Sequence, residues 1–212
     1  MPSNTSSAEE EFKRACDLYL EKRYSQAKRQ LIENLNRFPN YGPSHLLLGQ
    51  IYFFSRKPNY GAAVQEFQKV TSICPAWQEG FQWLGIALKK IGKVEEALTA
   101  FHNTILLSPE DSRPYIDLGI LFTEKEQYAE AIEMLRKGLE LKPYCTEADV
   151  RLFLAEALMK NGQLSDARSE WRRILEIEPG YPSGDLPQKE AAKMLAKYPE
   201  SVGQNALRIS PS

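Results

Sequence analysis

The sequence predicts an all-α fold, a solenoid of helical hairpins packed side by side, and three features of its 212 residues point there. The first is the stretch from Phe81 to Pro109, FQWLGIALKKIGKVEEALTAFHNTILLSP. Phe81, Leu84, Gly85 and Leu88 recur at helical spacing, and Ile91-Gly92-Lys93 then breaks the pattern. Val94, Ala97, Leu98, Phe101 and Ile105 make a second apolar stripe, which Pro109 stops. The second feature is repetition. Prolines stand at Pro39, Pro75, Pro109, Pro143 and Pro179, and alanines at Ala27, Ala63, Ala97, Ala131 and Ala167, both at intervals of 36, 34, 34 and 36 residues. The third is the pair Leu48-Gly49, repeated as Leu84-Gly85 and Leu118-Gly119 and becoming Leu154-Ala155. Small residues here let two backbones approach. One hairpin alone buries too little apolar surface to offset its chain entropy, so it needs copies on either side.

Residues 1–7 are short, polar and serine-rich, and read as a mobile tail. Five units follow over 8–180, divided as 8–41, 42–77, 78–111, 112–147 and 148–180. In the first, Phe12, Ala15, Cys16, Leu18 and Tyr19 precede a turn at Glu21 to Arg23. Counting back from Ala27 puts Arg14 where other units have leucine; a turn shorter by one residue would put Ala15 there. The sequence leaves both registers open. The second unit carries its two extra residues at Ser55 to Asn59, a lengthened turn. The fourth opens on Pro114, suited to a first helical turn. The fifth gains two residues between Pro143 and Ala148, and its Trp171 stands where earlier units have Phe67 and Phe101, filling the space between helices. After Pro179 the period fails. Asp185 with Gln188 reads as a capping box opening a helix over 185–198, with Leu186, Ala191, Met194, Leu195 and Tyr198 on one side; it is expected to cover the open end of the fifth unit. Residues 199–212 read as a disordered tail.

A period near 34, a small residue in each helix and a closing proline resemble the tetratricopeptide repeat (TPR). The resemblance implies a right-handed α-α superhelical solenoid whose inner face is lined by the first helix of each pair. Transferred to this chain, that groove takes Phe12 and Tyr19, then Leu46, Gln50 and Phe53, then Gln82, Trp83, Ile86 and Lys89. Arg113, Ile116 and Ile120 follow from the fourth unit, and Asp149, Leu152 and Glu156 from the fifth. Ile86 and Ile120 hold equivalent positions in adjacent units and argue for an apolar groove. TPR proteins that grip a chaperone's C-terminal carboxylate do so with paired Lys, Arg and Asn. Here the matching places hold Phe12, Cys16, Leu47, Glu79 and Trp83, so no such clamp is expected, and neither shifted register restores it.

Composition narrows the function. Lysine and arginine number 27 against 28 acidic residues, a formal charge of −1, so no long-range field favours nucleic acid. The basic residues Lys22, Arg23, Lys28 and Arg29 read as a solvated helix face. No apolar run is long enough to span a bilayer, and the first residues lack the order of a secretory signal. Cys16, Cys74 and Cys145 fit neither a metal spacing nor an even disulfide set, which points to a reducing, cytoplasmic setting. With two histidines, no phosphate loop and no nucleophile elbow, no catalytic, metal or cofactor site is expected. The expected function is a non-catalytic adaptor holding a partner protein's amphipathic helix or extended apolar peptide. The alternative is a self-assembling homo-oligomeric scaffold that uses the groove or the C-terminal helix.

Overall fold

The computed structural model describes residues 4–141, 147–179 and 183–200. Eleven helices account for most of them: α1 (Asn4–Leu20), α2 (Tyr24–Arg37), α3 (Gly42–Phe54), α4 (Tyr60–Ile73), α5 (Gln78–Lys90), α6 (Val94–Leu107), α7 (Ser112–Glu124), α8 (Tyr128–Glu140), α9 (Glu147–Lys160), α10 (Leu164–Glu176) and α11 (Leu186–Lys197). Each packs on its predecessor and successor, and the arrangement is an all-α superhelical array. Across neighbouring hairpins the odd helices also touch one another, α5 with α7, α7 with α9 and α9 with α11, which puts them on the inner side.

Close approach within each hairpin rests on the small residue in its odd helix. A Cβ on Gly49 would sit 2.5 Å from the Phe67 ring, one on Gly85 2.6 Å from Phe101, and one on Gly119 2.5 Å from Leu135. Ala15 and Ala155 take this place in the first and fifth pairs, buried in clusters with Leu31 and Trp171 respectively. Four of the five turns within hairpins are equally regular, the α3–α4 turn at residues 55–59 being the longer exception. Gly92 and Gly162 have φ of 76° and 79°, and Lys22 and Glu126 adopt φ of 61° at the matching points. In all four, the next N–H donates five residues back, Arg23 to Leu18 as Lys93 to Leu88. The first turn is therefore not shortened. Arg14 does hold the leucine position and is exposed, because among the described residues no helix packs on α1 from that side.

The tail expected over residues 1–7 is helical from Asn4. Asn34 Nδ2 donates to the Ala8 carbonyl at 3.0 Å, and Ser44 Oγ donates to Asn34 Oδ1 at 2.6 Å, so one buried amide ties α1, α2 and α3 together. The capping box expected at Asp185 does not form. Its carboxylate pairs with Lys189 at 2.9 Å, while Gln188 Nε2 donates to the Ile177 carbonyl at 2.9 Å, anchoring α11 to the end of α10. Tyr198 stacks on Trp171 with ring centroids 6.1 Å apart. The expected disorder over 201–212 and most of the connection from Pro143 to Ala148 lie outside the described residues.

Candidate functional site

The inner face is built by α1, α3, α5, α7, α9 and α11, and the groove residues divide into two groups. Phe12, Tyr19, Gln50, Trp83, Ile86, Lys89, Arg113, Ile120, Asp149 and Leu152 are half-buried, and Glu156 is exposed. Four others are interior, contrary to the expectation from the repeat register. Ile116 is 1% exposed because its Cγ1 presses on Gly138 of α8, where an added Cβ would lie 2.7 Å away. Leu46, 8% exposed, joins the main core. Phe53, 9% exposed, is covered by Phe54, Tyr60 and Trp83, with ring centroids 5.0, 5.1 and 5.8 Å away. Gln82 is 3% exposed and turned toward α7.

Three successive notches between odd helices occupy equivalent positions along the face, and each is filled differently. Between α3 and α5 the filling is aromatic: Phe53, Phe54, Tyr60 and Trp83. Trp83 also stacks on Phe67 at 6.0 Å and donates from Nε1 to Glu79 at 3.3 Å. Phe54 remains 60% exposed.

Between α5 and α7 the filling is polar. Gln82 Nε2 donates to Asp117 Oδ2 at 2.6 Å, and Lys89 Nζ lies 3.1 Å from Glu124. Burial pushes the Asp117 carboxyl up to about 6, against the opposing pull of Lys89, of the Gln82 hydrogen bond and of Arg113. Gln82 Oε1 is shut in with no hydrogen-bond partner among the described residues.

Between α7 and α9 the notch is open. A cleft of about 410 Å³ is lined by Ile120, Thr123, Glu124, Glu126, Tyr128, Phe153, Glu156 and Lys160. A smaller cleft of about 260 Å³ follows toward α11, among Leu152, Glu156, Met159, Trp171, Glu190 and Met194. Depressions of about 540 and 510 Å³ elsewhere are lined chiefly by the even helices α8 and α4.

Sequence reasoning missed Phe54, Asp117, Tyr128, Glu124 and Glu126 as parts of this face. The signal was present in the register: Phe53, Phe54, Tyr60, Trp83 and Ile86 recur two units on as Thr123, Glu124, Tyr128, Phe153 and Glu156.

The buried pair of His45 and Glu66 lies away from this face and serves the frame. His45 Nδ1 lies 2.6 Å from Glu66 and its Nε2 2.8 Å from the Pro39 carbonyl, pinning α3 to α4 and to the preceding loop. Burial would raise the Glu66 carboxyl, but hydrogen bonds from His45 and Lys69 outweigh it and hold it below the usual range. Burial, then Asp17, pushes the Cys16 thiol up, disfavouring its reactive thiolate. Among the described residues no group of three or more His, Cys, Asp or Glu side chains is placed to hold a metal ion, and no helix is long and apolar enough to cross a membrane.

The repeat geometry has counterparts elsewhere. The tetratricopeptide repeat family matches residues 84–144 and, in a second overlapping match, residues 122–184. The chain belongs to the tetratricopeptide repeat family. Among solved structures, MamA from Desulfovibrio magneticus RS-1 superposes with a TM-score of 0.74 at 22% identity, over 84% of this chain and 97% of that one. YrrB, described as a TPR protein with an unusual peptide-binding site, superposes with a TM-score of 0.71 at 17% identity, over 90% and 98%. Among curated sequences, the CTR9 homolog of Arabidopsis thaliana is 24% identical over 159 residues. That match takes in 74% of this TPR protein but only 14% of the relative, so the chain spans a small part of that protein's length.

Proposed function

We propose that this TPR protein is a non-catalytic adaptor that holds a partner's amphipathic helix or extended peptide against its odd helices. The observation that carries the reading is Phe54, 60% exposed against Trp83 on the same face that presents Ile86 and Ile120. Large apolar side chains left open on a monomer's inner face cost hydration free energy, which a partner recovers by covering them. The preformed helical frame avoids most of the ordering cost of binding. The site we assign keeps Phe12, Tyr19, Gln50, Trp83, Ile86, Lys89, Arg113, Ile120, Asp149, Leu152 and Glu156, and adds Phe54 in place of the four interior residues. The peptide-binding site of YrrB, on a similar frame, supports the same use of the fold.

The test is selection of a short-peptide display library on the full chain, followed by affinity measurement on a variant carrying Ile86→Asp and Ile120→Asp. Both side chains are only partly buried, so helical content should hold while affinity drops by roughly tenfold or more. Unchanged affinity with an intact circular dichroism spectrum would move the site off this face.

A further inference from the structure

The notch between α7 and α9 is the structural counterpart of the aromatic notch between α3 and α5, with its filling removed. Phe53 and Phe54 become Thr123 and Glu124, which takes two rings out of the same space, and the cleft of about 410 Å³ is what remains. Its walls stay apolar: Ile120 on α7, Tyr128 at the start of α8 and Phe153 on α9. Its rim does not. Glu124 is shared with Lys89 of the preceding notch at 3.1 Å, while among the described residues the side chains of Glu126 and Glu156 make no hydrogen bond or ion pair. Lys160 is the one cation in the lining, and with Lys89 it still leaves the three carboxylates in excess.

An apolar slot with an acidic rim suits one kind of side chain: a cation carried on an aliphatic stem. A purely apolar group would fill the floor and leave the rim carboxylates beside it partly desolvated, whereas an acidic group would be repelled. The stem of an arginine or lysine packs on apolar walls while its head stays at the rim, a cation over an aromatic face gains further attraction, and carboxylates supply charge-assisted hydrogen bonds. We infer that the α7–α9 notch is a subsite for a basic side chain of the partner segment, whose apolar anchors lie toward Trp83 and Phe54. The inference rests on the adaptor reading and sharpens it: the partner is a basic amphipathic segment with its apolar and cationic residues separated along its length.

The experiment uses the peptides selected on the full chain from the random display library. Selection should enrich arginine or lysine at a fixed distance along the peptide from its apolar residues. Replacing Glu126 and Glu156 together by glutamine, nearly isosteric changes at the rim, should lower the affinity of a selected peptide by roughly tenfold. Replacing the peptide's basic residue by glutamine should cost the same factor, and combining the two should cost no more than either alone, the signature of direct coupling. Losses that multiply independently, an unaffected double variant, or selection of acidic or uncharged peptides would overturn the subsite. If the selected peptides still depend on Ile86 and Ile120 in those cases, the adaptor reading stands without it. Failure to select any peptide with that dependence overturns both.

Discussion

The α3–α5 and α7–α9 notches stand at the same place in the repeat, and they differ in what fills them and in the turn beside them, five residues long between α3 and α4 and three between α7 and α8. Both lie between odd helices held against their partners by a small residue, Gly49 and Gly119 respectively. Both carry a tyrosine at the start of the following helix, Tyr60 and Tyr128. In the first, the chain packs its own rings into the space, and the notch stabilises the hairpin stack. In the second, Thr123 and Glu124 withdraw that volume, and Glu156 replaces the aliphatic Ile86. Because each hairpin contacts mainly its neighbours, stability can be concentrated in one joint while another is left for recognition.

The comparison requires a frame that does not yield when a side chain changes, and the largest predicted effect tests that. Gly49→Val would drive a side chain into Phe67, whose ring lies 2.5 Å from the position of the new Cβ and stacks on Trp83. The expected loss is about 3 kcal/mol, measured by urea unfolding. A loss of a few tenths would mean that Phe67 moves aside, and the two notches would not be comparable as fixed shapes.

The middle notch predicts a smaller change of opposite sign. Asp117 has a folded-state pKa of about 6, above its ordinary 3.8, so the folded protein holds this proton more tightly than the unfolded chain. Its contribution to stability is fully present below the ordinary value and is lost as pH rises through about 6. Asp117→Asn keeps an acceptor for Gln82 and removes the buried charge. It should stabilise the protein by about 2 kcal/mol at neutral pH and by nothing near pH 3. Equal effects at both pH values would show that packing, not ionisation, separates the variants.

Repetition alone made the frame legible in the sequence. The spacing of Gly49, Gly85 and Gly119, and of the alanines in the even helices, requires backbones that approach at fixed intervals. The face was less legible, because a residue's helical position does not say how deeply a neighbouring repeat covers it. Ile116 and Ile120 lie one turn apart on α7, yet Gly138 leaves a hollow that takes Ile116 inward while Ile120 stays at the surface. Gln82 turned inward for a different reason: a hydrogen bond to Asp117, a residue 35 positions away. The Asp185–Gln188 pairing failed similarly, since each side chain found a better partner outside the expected box.

Two substitutions should convert one notch into the other. Thr123→Phe with Glu124→Phe restores at α7 the two rings that Phe53 and Phe54 supply at α3. The exchange loses the ion pair between Lys89 and Glu124, but Glu124 is 54% exposed and such a pair contributes little. Burying ring surface against Ile120, Tyr128 and Phe153 should outweigh it, for a net gain of about 1 kcal/mol in urea unfolding. The same variant should lose the preference for basic peptides while keeping binding that depends on Trp83. A loss of stability as large as that of Gly49→Val would mean that the cleft at α7–α9 does not have the shape of the filled notch. Basic peptides bound with undiminished affinity would place their cation outside it.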